Sequence, residues 1–272
     1  METILTEEDI YNFDTAGWLH LPAVLTVSEQ RAATAAVEAA GDDEAALGAV
    51  ARGLLEKPTL RTRIVRLVAH VPENGDVWGD GAHLTQGSPV DGETGELTLQ
   101  TGAASVLTGQ ENEALVGGPG ADGVLDCART YLCDAGHRYV HGLVVIWVVQ
   151  AGCTAGGYAC VAGSLKSTLE VPPHLRNVAG SAPLANLGIL QQPPLEAGDV
   201  LLVSAAALHG ARRPENGSAG PRLLRCEFLS HMARPDAASE RHDPAREPGW
   251  TQELTVSRRF PTTLAVTPAG LQ

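Results

Sequence analysis

The sequence predicts an α+β protein in which helices come first and an antiparallel barrel or sandwich of strands follows. Three observations lead to this prediction. Helix signals fill residues 6–70, and short apolar runs separated by turn residues fill residues 124–232. No stretch with a helical period interrupts those runs. Strands without helices between them are expected to pair as antiparallel neighbours.

The N-terminal part contains two helix starts with the same chemistry. Thr6 and Thr26 are each followed within three residues by an acid, which is the pattern of a capping threonine before an acidic first turn. The helix after Thr26 is rich in alanine and is expected to end near Ala40. Residues 17–25, between the two helix starts, alternate between apolar and polar side chains and predict a short strand. After Ala40, a further helical stretch is expected to continue to Val68.

The rest of the chain divides into a glycine-rich segment, a strand region and a tail, all within one predicted domain. Glycines are dense and periodicity is weak in residues 72–123, which predicts a lid or insert that is partly strand. Residues 124–232 are the predicted barrel core, and residues 233–272, rich in proline and charge, are expected to wrap over the surface. The predicted strands of the core are VLDCARTYL, LVVIWVV, YACVA, VLLVSAA and RLLRCEF.

Composition and charge exclude several classes of partner. The 272 residues carry a formal net charge of −13, which argues against a nucleic-acid partner or an anionic membrane surface. The longest apolar run, Leu143 to Val149, is too short to span a bilayer. Five cysteines form no Cys-x-x-Cys pair, and the first residues lack an export signal, so we expect a cytoplasmic protein. The expected partner is a small-molecule substrate, and a homodimer is left open.

Three segments of the chain resemble the phytanoyl-CoA dioxygenase family. They are FDTAGWLHLPAVLTVSE, GGYACVAGSLKS, and GDVLLVSAAALHG followed by PRLLRCEF. The resemblance covers about the first 30 residues and most of residues 124–230. It implies a double-stranded β-helix, a cupin-like jelly-roll barrel, with the N-terminal helices packed outside. It also implies a non-haem Fe(II)/2-oxoglutarate-dependent oxygenase, with both of those cofactors.

The resemblance implies a metal-binding role for His209, which matches the family's distal metal-binding histidine. A neutral imidazole suits Fe(II), and a strand end at a barrel mouth leaves coordination positions open for co-substrate and oxygen. The alternative is a histidine that only caps the end of a strand. The strand GDVLLVSAAAL before it favours the site.

The resemblance assigns to Arg222 the clamp on the distal carboxylate of 2-oxoglutarate. A guanidinium binds a carboxylate through two parallel hydrogen bonds and keeps its charge at any ordinary pH. Strand alternation places Arg222 on one face with Cys226 and Phe228, and this mostly apolar face is predicted to look into the barrel. The alternative is a solvated arginine at the start of a strand, with Arg225 as its neighbour.

The early metal ligands of the family, a His-x-Asp or His-x-Glu pair, have no match in the stretch YLCDAGHRYVHG. In the family's frame, Cys133 or Asp134 falls near the expected first histidine. An irregular turn joining Asp134 and His137 would give iron two histidines and one carboxylate with His209. Alternatively, His137 and His141 are hydrogen-bonding residues at a pocket wall.

Two functional hypotheses follow. In the first, the chain oxidises a small, mostly apolar metabolite of natural-product metabolism, with Fe(II) held by His209 with Asp134 or His137. Arg222 then holds 2-oxoglutarate. In the second, the barrel has lost its metal and needs no cofactor, and it favours a cyclisation or isomerisation by positioning, with Asp134, His137 or His209 moving protons. A ligand-binding protein without chemistry is a third hypothesis, and the sequence does not name the substrate.

Overall fold

The chain folds as two facing β-sheets with helices packed on the outside of one of them, as seen in a computed structural model. Contacts divide the chain into two units, residues 1–234 and residues 235–272, and all described residues belong to the first. The structure describes residues 5–69, 100–108, 112–117, 131–134, 137–140, 142–152, 157–167, 188–213 and 220–229.

The helices begin where the sequence predicts. The hydroxyls of Thr6 and Thr26 each accept a hydrogen bond from the backbone N–H three residues on, and the acid at that position accepts one from the threonine N–H. Both capping predictions are confirmed. Among the described residues, no helix has the length and apolar character needed to cross a membrane. The described helices are α1 Glu7–Ala16, α2 Val27–Ala40, α3 Glu44–Leu55 and α4 Pro58–Ala69.

An ion pair joins the start of α2 to the end of α3. The Lys57 ammonium lies 2.6 Å from a carboxylate oxygen of Glu29 and also donates to the Val24 carbonyl. The hydrogen bond from Lys57, followed by those from the Thr26 cap, lowers the pKa of Glu29 from 4.5 to about 2. The cap and the ion pair therefore both favour the ionised form of this carboxylate.

The strands form three antiparallel groups. The first sheet has the order β1-β8-β5-β10-β2, the second has the order β7-β6-β9, and β3 pairs with β4 as a hairpin. The strands are β1 Trp18–Leu21, β2 Gln100–Leu107, β3 Tyr131–Asp134, β4 His137–Val140, β5 Gly142–Gln150, β6 Gly157–Val161, β7 Leu190–Gln191, β8 Val200–Ser204, β9 His209–Arg212 and β10 Arg222–Leu229. Part of the glycine-rich segment is thus strand, as predicted.

A short stretch of chain extends the second sheet beyond β9. We call residues 112–117 the edge segment. The N–H groups of Val116 and His209 each donate to the other residue's carbonyl, at 2.8 and 2.9 Å. The Glu113 N–H donates to the Ala211 carbonyl at 3.1 Å. The second sheet therefore continues as β7-β6-β9 and then the edge segment.

The two faces of the first sheet have different neighbours, and one sequence prediction is wrong here. The Phe228 ring lies edge-on to Trp147, with centroids 6.2 Å apart, and the Arg52 guanidinium of α3 lies 5.5 Å from its centre. The face of β10 that carries Cys226 and Phe228 therefore packs against the helices, and it does not look into the barrel. Arg225, on the opposite face, points towards the second sheet. Because both faces are buried, alternation alone could not tell them apart.

Candidate functional site

The site begins at His209, the first residue of β9. Its side chain is 3% exposed and lies on the face of the second sheet that meets the first sheet. The His209 Nδ1 atom lies 2.5 Å from the Tyr158 hydroxyl oxygen, and the two rings stack with centroids 5.8 Å apart. The sequence placed His209 at the end of the strand before it; in the structure that strand, β8, ends at Ser204, and His209 begins β9 in the second sheet. Its metal-binding role stays a prediction.

Tyr158 is a neutral partner for that imidazole. It lies on β6, is fully buried, and burial raises the pKa of its phenol well above its usual range. The proton between the two groups has two placements. The phenol donates to Nδ1 when Nε2 carries the imidazole hydrogen, and it accepts from Nδ1–H in the other tautomer. In both cases this bond fixes the orientation of the imidazole ring.

A charged pair lies close to the His209–Tyr158 pair, on the side of the first sheet that faces the second sheet. Arg225 Nη1 lies 2.9 Å from Glu113 Oε2, and the same carboxylate oxygen accepts the Ala211 N–H at 3.0 Å. The charge of Arg225, and a hydrogen bond from it, act to lower the pKa of Tyr158 against the larger effect of burial. The interior of the sandwich thus holds a cluster of His209, Tyr158, Arg225 and Glu113, which we call the interior polar cluster.

Arg222 lies elsewhere. Its Nη1 atom is 3.3 Å from a carboxylate oxygen of Glu38 on α2. This contact places Arg222 on the helix side of the first sheet, the side to which Cys226 and Phe228 of the same strand point, although a bulge lies between Arg222 and Leu223. Its role as a carboxylate clamp stays a prediction, and the contact seen is with a helix rather than with the interior polar cluster.

The backbone beside His209 is not the stretch that the sequence suggested for the early ligands. His209 has a cross-strand partner on each side, Cys160 on β6 and Val116 on the edge segment, and Gly117 follows Val116. Cross-strand partners share one face of a sheet, so an aliphatic side chain occupies the position nearest to His209 on that strand. The stretch with Asp134 and His137 forms the separate β3-β4 hairpin instead.

The hairpin does bring two of the predicted ligands together. Asp134 and His137 are direct backbone partners across it, which is the juxtaposition that an irregular turn was expected to give. Their side chains, and residue His141, lie outside the described part of the structure. At its base, the Tyr131 hydroxyl donates to the Asp14 carboxylate of α1 and its ring meets the Lys166 ammonium 5.9 Å away.

The described residues do not by themselves make a metal site. Among the side chains that the structure describes, no three from histidine, cysteine, aspartate and glutamate are placed to hold one ion. His209 is one candidate donor, while the Glu113 carboxylate is engaged by a guanidinium and a backbone N–H. An iron ligand set therefore needs donors beyond the described side chains, and Asp134 and His137 on the hairpin stay the predicted ones.

Sequence reasoning missed two members of the interior polar cluster. Arg225 was named only as the neighbour of a solvated Arg222, because the face of β10 with Cys226 and Phe228 was expected to look into the barrel. Glu113 received no role, although it is an acid directly before the apolar residues Ala114, Leu115 and Val116.

Comparisons with known proteins give a fold and no family. No family model matches the chain, and no curated protein sequence matches it. Solved structures do match. HygX from Streptomyces hygroscopicus, with nickel and 2-oxoglutarate bound, has a TM-score of 0.58 at 22% identity, over 84% of this chain and 88% of that one. The chain has a double-stranded β-helix fold.

Other structures support the same architecture. HygX with iron bound has a TM-score of 0.59 at 22% identity, over 84% of this chain and 88% of that chain. EctD from S. alaskensis with bound Fe has a TM-score of 0.54 at 14% identity, over 85% of this chain and 78% of the other. The predicted α+β class, with N-terminal helices outside a double-stranded β-helix, is confirmed.

Proposed function

We propose that this chain is an Fe(II)/2-oxoglutarate-dependent oxygenase, similar to the phytanoyl-CoA dioxygenase family, that oxidises a small, mostly apolar metabolite of natural-product biosynthesis. The observation that carries the proposal is the buried, inward position of His209 at the start of β9, beside a guanidinium in the same interior. HygX, which shares the fold, has been seen with nickel, 2-oxoglutarate and hygromycin B bound, and EctD with Fe bound.

In this proposal iron is held by His209 with Asp134 and His137 from the β3-β4 hairpin. Bound iron and 2-oxoglutarate supply the oxidising power. The described side chains alone do not complete this set. Tyr158 fixes the orientation of the His209 ring through Nδ1, so Nε2 would be the ring nitrogen that holds the metal. Apolar residues such as Ile146 line the same face and exclude water.

For 2-oxoglutarate we assign the clamp to Arg225 in place of Arg222. Arg225 lies in the interior polar cluster, whereas Arg222 is paired with Glu38 on α2. The incoming carboxylate competes with Glu113 for the same guanidinium, so binding of the co-substrate includes displacement of an internal anion. This competition predicts weaker affinity for 2-oxoglutarate than an unpaired arginine gives.

A second candidate function rests on Val116. The residue across from His209 on the edge segment is aliphatic and unsuited to metal binding, and this favours a metal-independent enzyme that cyclises or isomerises its substrate. The buried His209–Tyr158 pair would then hold a proton in the interior of the sandwich and pass it to a substrate atom. Positioning of the substrate would supply much of the rate.

One assay separates the two functions. Purified protein is incubated with Fe(II), 2-oxoglutarate and oxygen, and bound iron and succinate are measured without any added substrate. The oxygenase takes up one iron per chain and forms succinate, and a chelator abolishes both. No iron uptake and no succinate would overturn the oxygenase proposal. Substrate turnover that persists in chelator without oxygen would establish the second candidate.

Matched variants test the residues. His209→Gln, Asp134→Asn and His137→Gln should each lower bound iron, while His20→Gln, at a histidine bonded to Asp199, should not. Arg225→Lys should raise the KM for 2-oxoglutarate by about tenfold, because a point charge loses the bidentate geometry.

The same substitution at Arg222 is the control for the clamp. Arg222→Lys should leave the KM for 2-oxoglutarate unchanged, because Arg222 is paired with Glu38. If Arg222→Lys alone raised the KM, the clamp would return to Arg222.

A further inference from the structure

Arg212, at the end of β9, is a buried cation whose guanidinium is only partly satisfied. It is 2% exposed. Its Nη1 atom donates to the Glu113 carbonyl oxygen at 2.7 Å, which is a neutral acceptor. Its Nε and Nη2 atoms have no hydrogen-bond partner among the described residues. Buried charges in proteins are normally paired, so these two donors call for an anion.

The chain around Arg212 supplies no such anion in the part that the structure describes. Its direct partner on β6 is Gly157, which has no side chain. Among the described acids, Glu113 is close enough for its charge to act on Arg212, and its carboxylate is bound to Arg225 and to the Ala211 N–H. Burial lowers the pKa of Arg212, and the charge of Glu113 offsets only part of this effect. Two guanidinium groups therefore share one carboxylate.

The Arg212 side chain lies on the other side of the second sheet from His209, and Glu113 is the member of the interior polar cluster that it contacts. Along β9, His209 and Ala211 face the first sheet, so Gly210 and Arg212 face the other way. On that outer face, a side chain at Gly210 would meet Leu115, a member of a small apolar cluster with Val161 and Leu208.

We propose that Arg212 is a binding site for a small carboxylate taken up from solution. Nε–H and Nη2–H lie parallel along one edge of the guanidinium plane, and a planar carboxylate accepts both at once. A lysine cannot reproduce this edge. The site lies on the outer face of the second sheet, so it goes beyond the proposed function and does not depend on it.

The test is carboxylate binding by the full chain after exchange into carboxylate-free buffer. Acetate and formate are the probes, and calorimetry with thermal unfolding is the readout. Both probes should bind saturably and raise the Tm more than chloride does at equal ionic strength. Arg212→Lys should weaken binding about ten- to hundredfold, which is the loss of one charge-assisted hydrogen bond.

Arg213 provides the matched control, because it is the next residue and is exposed. Arg213→Lys should bind both probes as the unchanged chain does. Equal weakening by the two substitutions, or acetate and chloride acting alike on the Tm, would overturn the site. The Tm values in carboxylate and in chloride are compared on the unchanged chain, so this comparison does not depend on whether Arg212→Lys folds.

Discussion

The ion pair between Glu113 and Arg225 can be measured with a double-mutant cycle. Glutamine is the replacement at both positions because it removes the charge while its amide can still accept or donate one hydrogen bond. Two unit charges about 4 Å apart attract by ~4 kcal/mol at an effective dielectric constant of about 20. The side chains are 23% and 33% exposed, so solvent screening reduces this attraction. We expect a coupling free energy of about 1.5 kcal/mol.

The assay is urea unfolding of the unchanged chain, the two single variants Glu113→Gln and Arg225→Gln, and the double variant. The cycle is measured at low ionic strength and again near 1 M salt. The Debye length of about 3 Å at 1 M should shrink the coupling by at least half. Additive single effects, within about 0.3 kcal/mol, would refute the argument that this pair is a significant interior contact. So would a coupling that salt leaves unchanged.

Three further predictions concern the His209–Tyr158 pair, the loss of stability at low pH, and two glycines. Tyr158→Phe should lower the free energy of unfolding by about 1–3 kcal/mol, because His209 Nδ1 loses this buried partner; the urea midpoint and the ¹⁵N shift of that nitrogen check it. The lowered pKa of Glu29 adds stability that is present above about pH 4.5 and lost as the pH falls towards 2. Glu29→Gln should therefore flatten this part of the acid-unfolding profile. Gly157→Ala should cost more than about 2 kcal/mol, because its φ is +103° and a Cβ would lie 2.4 Å from a proline ring carbon. Gly53→Ala, on a helix with nothing within 4 Å, should instead stabilise by about 0.5–1 kcal/mol, and an unchanged midpoint for both would contradict the steric argument.

The parts of the fold that the sequence predicts well are those with local chemical signals. A capping threonine followed by an acid sets the starts of α1 and α2. Strands β5, β8 and β10 are predicted because uninterrupted apolar runs end at turn residues, such as Gly198 with its φ of +92°. Each of these signals lies within a few residues of the element it determines.

The parts that could not be predicted depend on contacts far apart in the sequence. β10 is covered on both sides. Only the position of α3 shows that Phe228 lies on the helix side and that Arg225 lies on the side facing the second sheet. The edge segment pairs with β9 across about 95 residues of chain. No local sequence pattern near Val116 predicts that this residue lies across from His209.

The residues of the candidate site are also brought together by contacts far apart in the sequence. The sequence placed His209 at the end of the apolar strand before it, whereas His209 begins β9 in the other sheet. Arg222 was chosen because the face of β10 that carries Cys226 and Phe228 was expected to look into the barrel, but that face packs against the helices. Both faces of β10 are mostly covered, so the sequence alone does not show which of them is interior.

The place of β5 in the middle of the first sheet has a consequence for hydrogen exchange. Residues 142–149 are buried, and β8 and β10 bond the strand along both edges. Its amide hydrogens should exchange with solvent deuterium only when the whole unit opens. The backbone bonds of the edge segment run to β9, so the amide of Val116 should exchange through local opening. The rim that carries Glu113 can thus fluctuate, and admit a small molecule, while the centre of the sandwich stays closed.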